Sequence, residues 1–261
     1  MRSVGRLLAL VVLSTLALQL YFLARVAMMT VADPRSTTFQ RSEAWRLWSS
    51  GSASRGWRQQ WQPYESIASN LKRAVIASED AGFTEHSGVE WDALEKAWER
   101  NQRAEARIER IHERLERRVT SGAGAKAPPP SRPPARPQPK IVGGSTITQQ
   151  LAKNLFLGGE RSLLRKGQEF VVTLMLEGLL GKRRILEIYL NNVEWGEGVF
   201  GAEAAARHYF RTGASSLGAS QAAQLAVMLP APKRFEKRPG SAYVIGRAGT
   251  VITRMSAVEP P

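Results

Sequence analysis

A chain of 261 residues without cysteine can form neither a disulfide nor a thiolate metal site. Its 37 Lys and Arg outnumber 23 Asp and Glu, and the net charge of +14 points to a polyanionic partner: nucleic acid, an anionic membrane surface or a phosphorylated substrate. The length suits one sizeable domain with additions.

Leu7 to Ala24 is apolar apart from Ser14, Thr15 and Gln19. As a helix it rises roughly 27 Å, about one hydrocarbon core. Arg2 and Arg6 precede it, as the positive-inside rule asks of a cytoplasmic amino terminus, and Arg25 beyond it can snorkel to the interface. A cleaved signal peptide competes, but the apolar region is long for one and no small-x-small site follows cleanly. A cytoplasmic segment over residues 1–6 and a transmembrane helix over 7–29 are therefore expected, with the rest on the outer face. Residues 30–62 are poorly periodic, with Trp45, Trp48, Trp57 and Trp61 set among Arg41, Arg46, Arg55 and Arg58. That mix suits a membrane–water interface, and equally a tether with a few core tryptophans.

A helix is predicted after Pro63, with Ile67, Leu71, Ala74, Val75 and Ser78 on its buried stripe. Glu79 continues the Leu71–Val75 row; a carboxylate there is partly desolvated, which raises its pKa toward general acid–base range. Asp80 adjoins it, and Phe83, His86 and Gly88 follow. Asp92 to Val119 reads as one long charged helix with a narrow coiled-coil-like seam. Thr120 to Lys140, with seven prolines and no large apolar side chain, reads as a flexible or extended linker.

In Gly143 to Asn154 two glycines lead into Ser145, a good N-cap, and Ile147, Leu151 and Leu155 form an apolar row. Gln150, Lys153 and Asn154 form a second, polar stripe. Free N–H groups at the helix start and a nearby lysine would make an anion cradle; an ordinary capped amphipathic helix accounts for the same residues. From Ser162 to Leu180, Arg165, Lys166 and Glu169 can share one face, as a cationic clamp beside a carboxylate or as solvated salt bridges. Further helices are predicted at Ile185–Leu190, Ala202–Phe210, Ser220–Leu229 and Val244–Met255. No run alternates with period two, so the fold class is mainly α and any sheet is small.

Together these residues carry a resemblance. Glu79-Asp80-x-x-Phe83-x-x-His86-x-Gly88 and then Gly144 to Asn154 are similar to the first two signatures of the peptidoglycan glycosyltransferases. Arg165-Lys166-x-x-Glu169 looks like the third, Lys182-x-x-Ile185-Leu186-Glu187-x-Tyr189-Leu190-Asn191 the fourth, and Gly198 to Gly201 with Ala204, Ala205, Tyr209 and Phe210 the last. Five signatures in the family's order, across Val75 to Phe210, are far more specific than any one of them. A single membrane helix with one such domain resembles the monofunctional members. A Ser-x-x-Lys at Ser69 to Lys72 has no Lys-Thr-Gly partner and is read as chance. The departure is residues 92–140, a charged helix and Pro-rich insertion where members use a short connection; it bears on cleft access and could form a partner-binding arm.

The resemblance implies a lysozyme-like helical glycosyltransferase domain over residues 63–261 that polymerises lipid II into β-1,4-linked glycan with inversion. Glu79 matches the general base and Glu169 the second catalytic glutamate. Lys153, Arg165 and Lys166 match the residues that neutralise the departing pyrophosphate, and Asp80, Ser145, Thr146, Gln150, Asn154 and Lys182 are further expected substrate contacts. Lys182 and Glu187 equally suit pairing along their helix, His86 suits a structural role better than proton transfer, and Phe83, Tyr189 and Phe210 suit the core. Involvement of a divalent cation, Mg or Mn, with the pyrophosphate is left open, since the sequence contains no compact ligand cluster. The implied setting is the bacterial inner membrane, with the catalytic domain periplasmic and with lipid II, the growing strand and other cell-wall synthesis or division proteins as partners. A glycan-cleaving enzyme and a non-catalytic cell-wall scaffold are the competing readings; nucleic-acid binding explains the charge alone.

Overall fold

The computed structural model describes residues 2–51, 56–91, 95, 99, 102–103, 145–158 and 162–261. Met1–Val89 and Thr146–Pro261 form one compact unit, and Glu90–Ser145 a second. In the second unit residues 91, 95, 99, 102 and 103 are helical, and Arg103 pairs with Glu99 one turn earlier at 3.0 Å. The remainder of the predicted charged helix, from residue 104, and the Pro-rich segment lie outside the described residues.

The first unit is mainly α-helical. It begins with α1 (Arg2–Met28), of which Ser3–Met28 is long and apolar enough to cross a membrane. Most of its leucines are exposed, but Phe22, Val26 and Met29 at its carboxyl end are buried. Phe22 meets the edge of Phe156, and Gln19 exchanges two hydrogen bonds with Gln168, at 2.7 and 3.0 Å.

The poorly periodic stretch contains a helix after all, α2 (Thr38–Ser49), started by a reciprocal capping box between Thr37 and Gln40. Its buried residues are Gln40, Glu43 and Leu47, so the inward stripe is largely polar and invisible to a hydrophobic pattern. Trp45, Trp48 and Trp57 are all exposed, and Trp57 stacks one face on Phe200.

After a turn of 3-10 helix at Tyr64–Ser66 comes α3 (Ser69–Glu79), which buries Leu71, Ala74, Val75, Ile76 and Ala77. Lys72, of the Ser-x-x-Lys pattern, is buried with its ammonium over the Tyr64 ring. The next labelled helices are α4 (Ile147–Phe156), α5 (Leu163–Leu179) and α6 (Lys182–Asn192). They are followed by α7 (Ala202–Phe210), α8 (Ala219–Met228), the short α9 (Pro232–Phe235) and α10 (Ala242–Met255). Helix α3 packs against α8 and α10, and α4 against α2, α5 and α6. The alanines of α8 permit that close approach, and each fully buried Leu or Val contributes about 1.5–3 kcal/mol.

The expected small sheet is present: β1 (Arg58–Gln59), β2 (Glu194–Gly196) and β3 (Val199–Phe200), ordered β1-β3-β2. Strand β1 runs parallel to β3 and β2 antiparallel to it. Gly201 then enters α7 at φ 82°, where a Cβ would lie 2.7 Å from the Asn191 carbonyl oxygen.

Helix α6 anchors the chain that runs between α1 and α3, at its start beside Met29 and at its end beside Gln62 and Tyr64. Arg184 Nε donates to the Met29 carbonyl, the Tyr64 N–H donates to Glu187, and Asn191 exchanges hydrogen bonds with the Gln62 backbone. Glu187 also pairs with Arg184 at 2.8 Å, so each of its carboxylate oxygens has a partner in the protein.

Candidate active site

Glu79 is the last residue of α3, half-buried where the helix gives way to the extended backbone of Asp80. Burial raises its pKa, and the Asp80 charge adds to this; hydrogen bonds from Gln150 and Ser78 oppose it. This is the desolvation expected from its place at the end of an apolar row. Gln150 Nε2 donates to Glu79 Oε2 at 3.0 Å, and the Tyr189 hydroxyl donates to Gln150 Oε1 at 2.9 Å.

Asp80 turns the other way. Its side chain has no exposed surface: Oδ1 pairs with His86 Nε2 at 2.7 Å and Oδ2 accepts the Ile147 N–H at 2.9 Å. His86 Nδ1 accepts the Gly88 N–H at 3.1 Å, so Nε2 carries the proton donated to Asp80. Thr146 Oγ1 donates to the Gly88 carbonyl at 2.6 Å and closes the ring of contacts. Gly88 is required here: its φ is 85°, and a Cβ would lie 2.7 Å from Thr173 Cγ2. His86 therefore has the structural role expected of it.

Two sequence expectations change as a result. The N-cap of α4 is Thr146 rather than Ser145, because Thr146 and Gln149 form a capping box. The helix start is not an empty anion cradle, because Asp80 occupies the Ile147 N–H and Thr146 the Gln149 N–H. Asp80 and Thr146 are thus buried in the frame of the site, with these contacts made to the protein itself. Ser145 belongs to the second unit and is exposed.

Lys182 is likewise drawn into structure. Its ammonium donates to the His86 carbonyl at 2.6 Å and to Glu177 at 2.8 Å, and it lies over the Phe83 ring. Glu177 also accepts from the Thr148 hydroxyl at 2.6 Å. Sequence reading missed Glu177, although its spacing of five before Lys182 across a helix break was visible.

The cationic cluster forms around one carboxylate. Glu169 is almost fully buried and pairs with Arg165 at 2.8 Å and with Lys166. The buried Arg165 Nε has no hydrogen-bond partner among the described residues. Lys153 stands near enough to feel all three: desolvation, Arg165 and Lys166 hold its pKa below the ordinary value, and Glu169 opposes them. Lys153 and the half-buried Asn154 follow Gln150 by three and four residues on α4 and share its polar face. One helix face therefore runs from the base candidate to the cations.

Tyr189 is the residue sequence reading undervalued. It was expected in the core, and its ring is there, but its hydroxyl reaches the Gln150 amide.

A family model described as Transglycosylase matches residues 49–109 and 135–256. The biosynthetic peptidoglycan transglycosylase of Burkholderia pseudomallei (strain K96243) is 50% identical over 246 residues, covering 94% of this chain and 83% of that protein. Its namesake in Paraburkholderia xenovorans (strain LB400) is 47% identical, covering 97% and 91% of the two chains. In Cupriavidus pinatubonensis (strain JMP 134 / LMG 1197) a relative of the same name is 47% identical over 265 residues, 100% of this chain and 92% of its own. With these relatives matched along almost its whole length, the chain belongs to the biosynthetic peptidoglycan transglycosylase family.

Proposed function

We propose that the chain polymerises lipid II into peptidoglycan glycan strands, releasing undecaprenyl pyrophosphate. The growing strand is the donor, carrying the lipid pyrophosphate on its anomeric carbon. The 4-hydroxyl of an incoming lipid II attacks that carbon and gives its proton to Glu79. As the new C–O bond forms, the bond to pyrophosphate breaks and its electron pair leaves with the phosphate oxygen, which inverts the anomeric centre. Negative charge grows on the leaving group, and preorganised cations there stabilise the transition state.

The observation that carries this reading is the surplus of charge: Lys153, Arg165 and Lys166 surround the single carboxylate of Glu169. Glu169 orients the cations and faces the oxocarbenium-like donor. A pyrophosphate beside Lys153 opposes the lowering that desolvation and its cationic neighbours impose. Hydrolysis of an uncharged glycan has no use for such a cluster. The desolvated Glu79 suits proton removal from a hydroxyl near neutral pH.

Residues 1–6 lie in the cytoplasm, 7–29 cross the inner membrane and 30–62 form the juxtamembrane segment. Residues 63–261 form a periplasmic, lysozyme-like catalytic domain, where the lipid-linked substrate is presented. Incubating the purified full-length chain separately with lipid II and with finished peptidoglycan tests the reading. Polymer from the first and no soluble fragments from the second are expected; fragments without polymer would identify a glycan-cleaving enzyme.

A further inference from the structure

The Tyr189 phenol is buried beside the base, and the reaction above does not use it. Burial, reinforced by the charges of Glu79 and Asp80, pushes its pKa well above the ordinary value, so it remains a hydrogen-bond donor. Among the described residues its acceptor is Gln150 Oε1, at 2.9 Å. A primary amide has one accepting and one donating side. With the oxygen held by Tyr189, the Gln150 N–H is turned onto Glu79 Oε2 at 3.0 Å. A donor there favours the carboxylate over the acid. The reversed amide would set its oxygen against Glu79 and favour the protonated form, which cannot accept a proton from the attacking hydroxyl.

We propose that Tyr189 is a positioning residue that acts through Gln150, orienting the amide so that Glu79 is hydrogen-bonded as a carboxylate and ready to act as a base. The proposal rests on the general-base reading of Glu79. Among the described residues, the groups that bear on Glu79 are Ser78 from α3, Asp80 just beyond its end, Gln150 from α4 and Tyr189 from α6. Ser78 and Asp80 are unchanged when the Tyr189 hydroxyl is removed, so the orientation of the amide is the variable that changes.

The test compares the full-length chain with Tyr189→Phe, Gln150→Leu and the double variant. Lipid II polymerisation is followed from pH 5 to 9, and the Glu79 carboxyl is titrated by carbon-13 NMR. In Tyr189→Phe the acid limb of kcat/KM should move up by about one pH unit, a loss that approaches about tenfold at the acid end of the range and closes at the alkaline end, with the Glu79 titration moving likewise. Gln150→Leu should move the limb at least as far, and adding Tyr189→Phe should move it no further. A uniform loss at every pH with an unmoved Glu79 titration overturns the proposal, as do additive shifts in the double variant. If Tyr189→Phe does not fold, an unshifted Glu79 titration in Gln150→Leu overturns it. If the native chain makes no polymer, the proposed function fails, while the Glu79 titration still decides whether the relay exists.

Discussion

The Asp80 carboxylate accepts the backbone N–H of Ile147 at 2.9 Å, so the start of the first signature caps the helix of the second. Its other oxygen accepts a hydrogen bond from His86 Nε2, and both acceptor sides are used. Asparagine supplies an oxygen on one side only and confronts the other donor with an N–H group. Asp80→Asn should therefore cost about 1–3 kcal/mol of stability in thermal or chemical unfolding. It should also reduce polymerisation, because Glu79 and the start of α4 are held together through this residue. Unchanged melting and unchanged activity would show that the carboxylate does not join the two segments.

The cationic cluster should act on the leaving group more than on the fold. Lys153→Ala and Arg165→Ala are each expected to lower kcat/KM for lipid II by roughly 100- to 1,000-fold. The Lys153 side chain makes no hydrogen bond or ion pair with the described residues, and Ala keeps its backbone bond to Leu157, so its variant should melt close to the native temperature. Arg165→Ala leaves Glu169 with Lys166 alone and should melt slightly lower. Native turnover in both variants would remove the cluster from the mechanism.

Glu194 supplies a pH dependence independent of catalysis. It is buried beside Lys233 at 3.5 Å, and burial pushes its pKa from 4.5 up to about 7. Between those values the folded chain holds a proton that the unfolded chain releases, so stability falls as pH rises from 4.5 to 7 and loses no more above that range. The cost at pH 8 is at most about 3 kcal/mol. Glu194→Gln should melt higher than the native chain at pH 8, and the two should converge near pH 5. A variant less stable at pH 8 would mean that the ion pair with Lys233 outweighs the desolvation of Glu194.

Much of this was legible in the sequence because apolar periodicity and position coincide. The row that ends at Glu79 specifies a buried helix face and a desolvated carboxylate together, and both are found. The spacing of Arg165, Lys166 and Glu169 is likewise enough to bring them into contact. Polar groups satisfied by distant partners left no such trace. Asp80, Thr146 and Lys182 resemble substrate contacts in a motif, yet their partners include Ile147 N–H, the Gly88 carbonyl and the His86 carbonyl, backbone atoms that no side-chain pattern reports. Helix α2 was hidden for a related reason, since Gln40 and Glu43 face inward. Tyr189 shows the same limit on a single residue: its ring is legible as core, and its hydroxyl bond to Gln150 is set by tertiary structure.

The central claim is that Glu79 takes the proton of the attacking hydroxyl, and Glu79→Gln tests it most directly. Glutamine keeps the size and a hydrogen-bonding oxygen but cannot accept a proton as a base. The purified full-length variant, given lipid II, should polymerise at least 100- to 10,000-fold more slowly while still binding it. Polymerisation at the native rate would contradict the account.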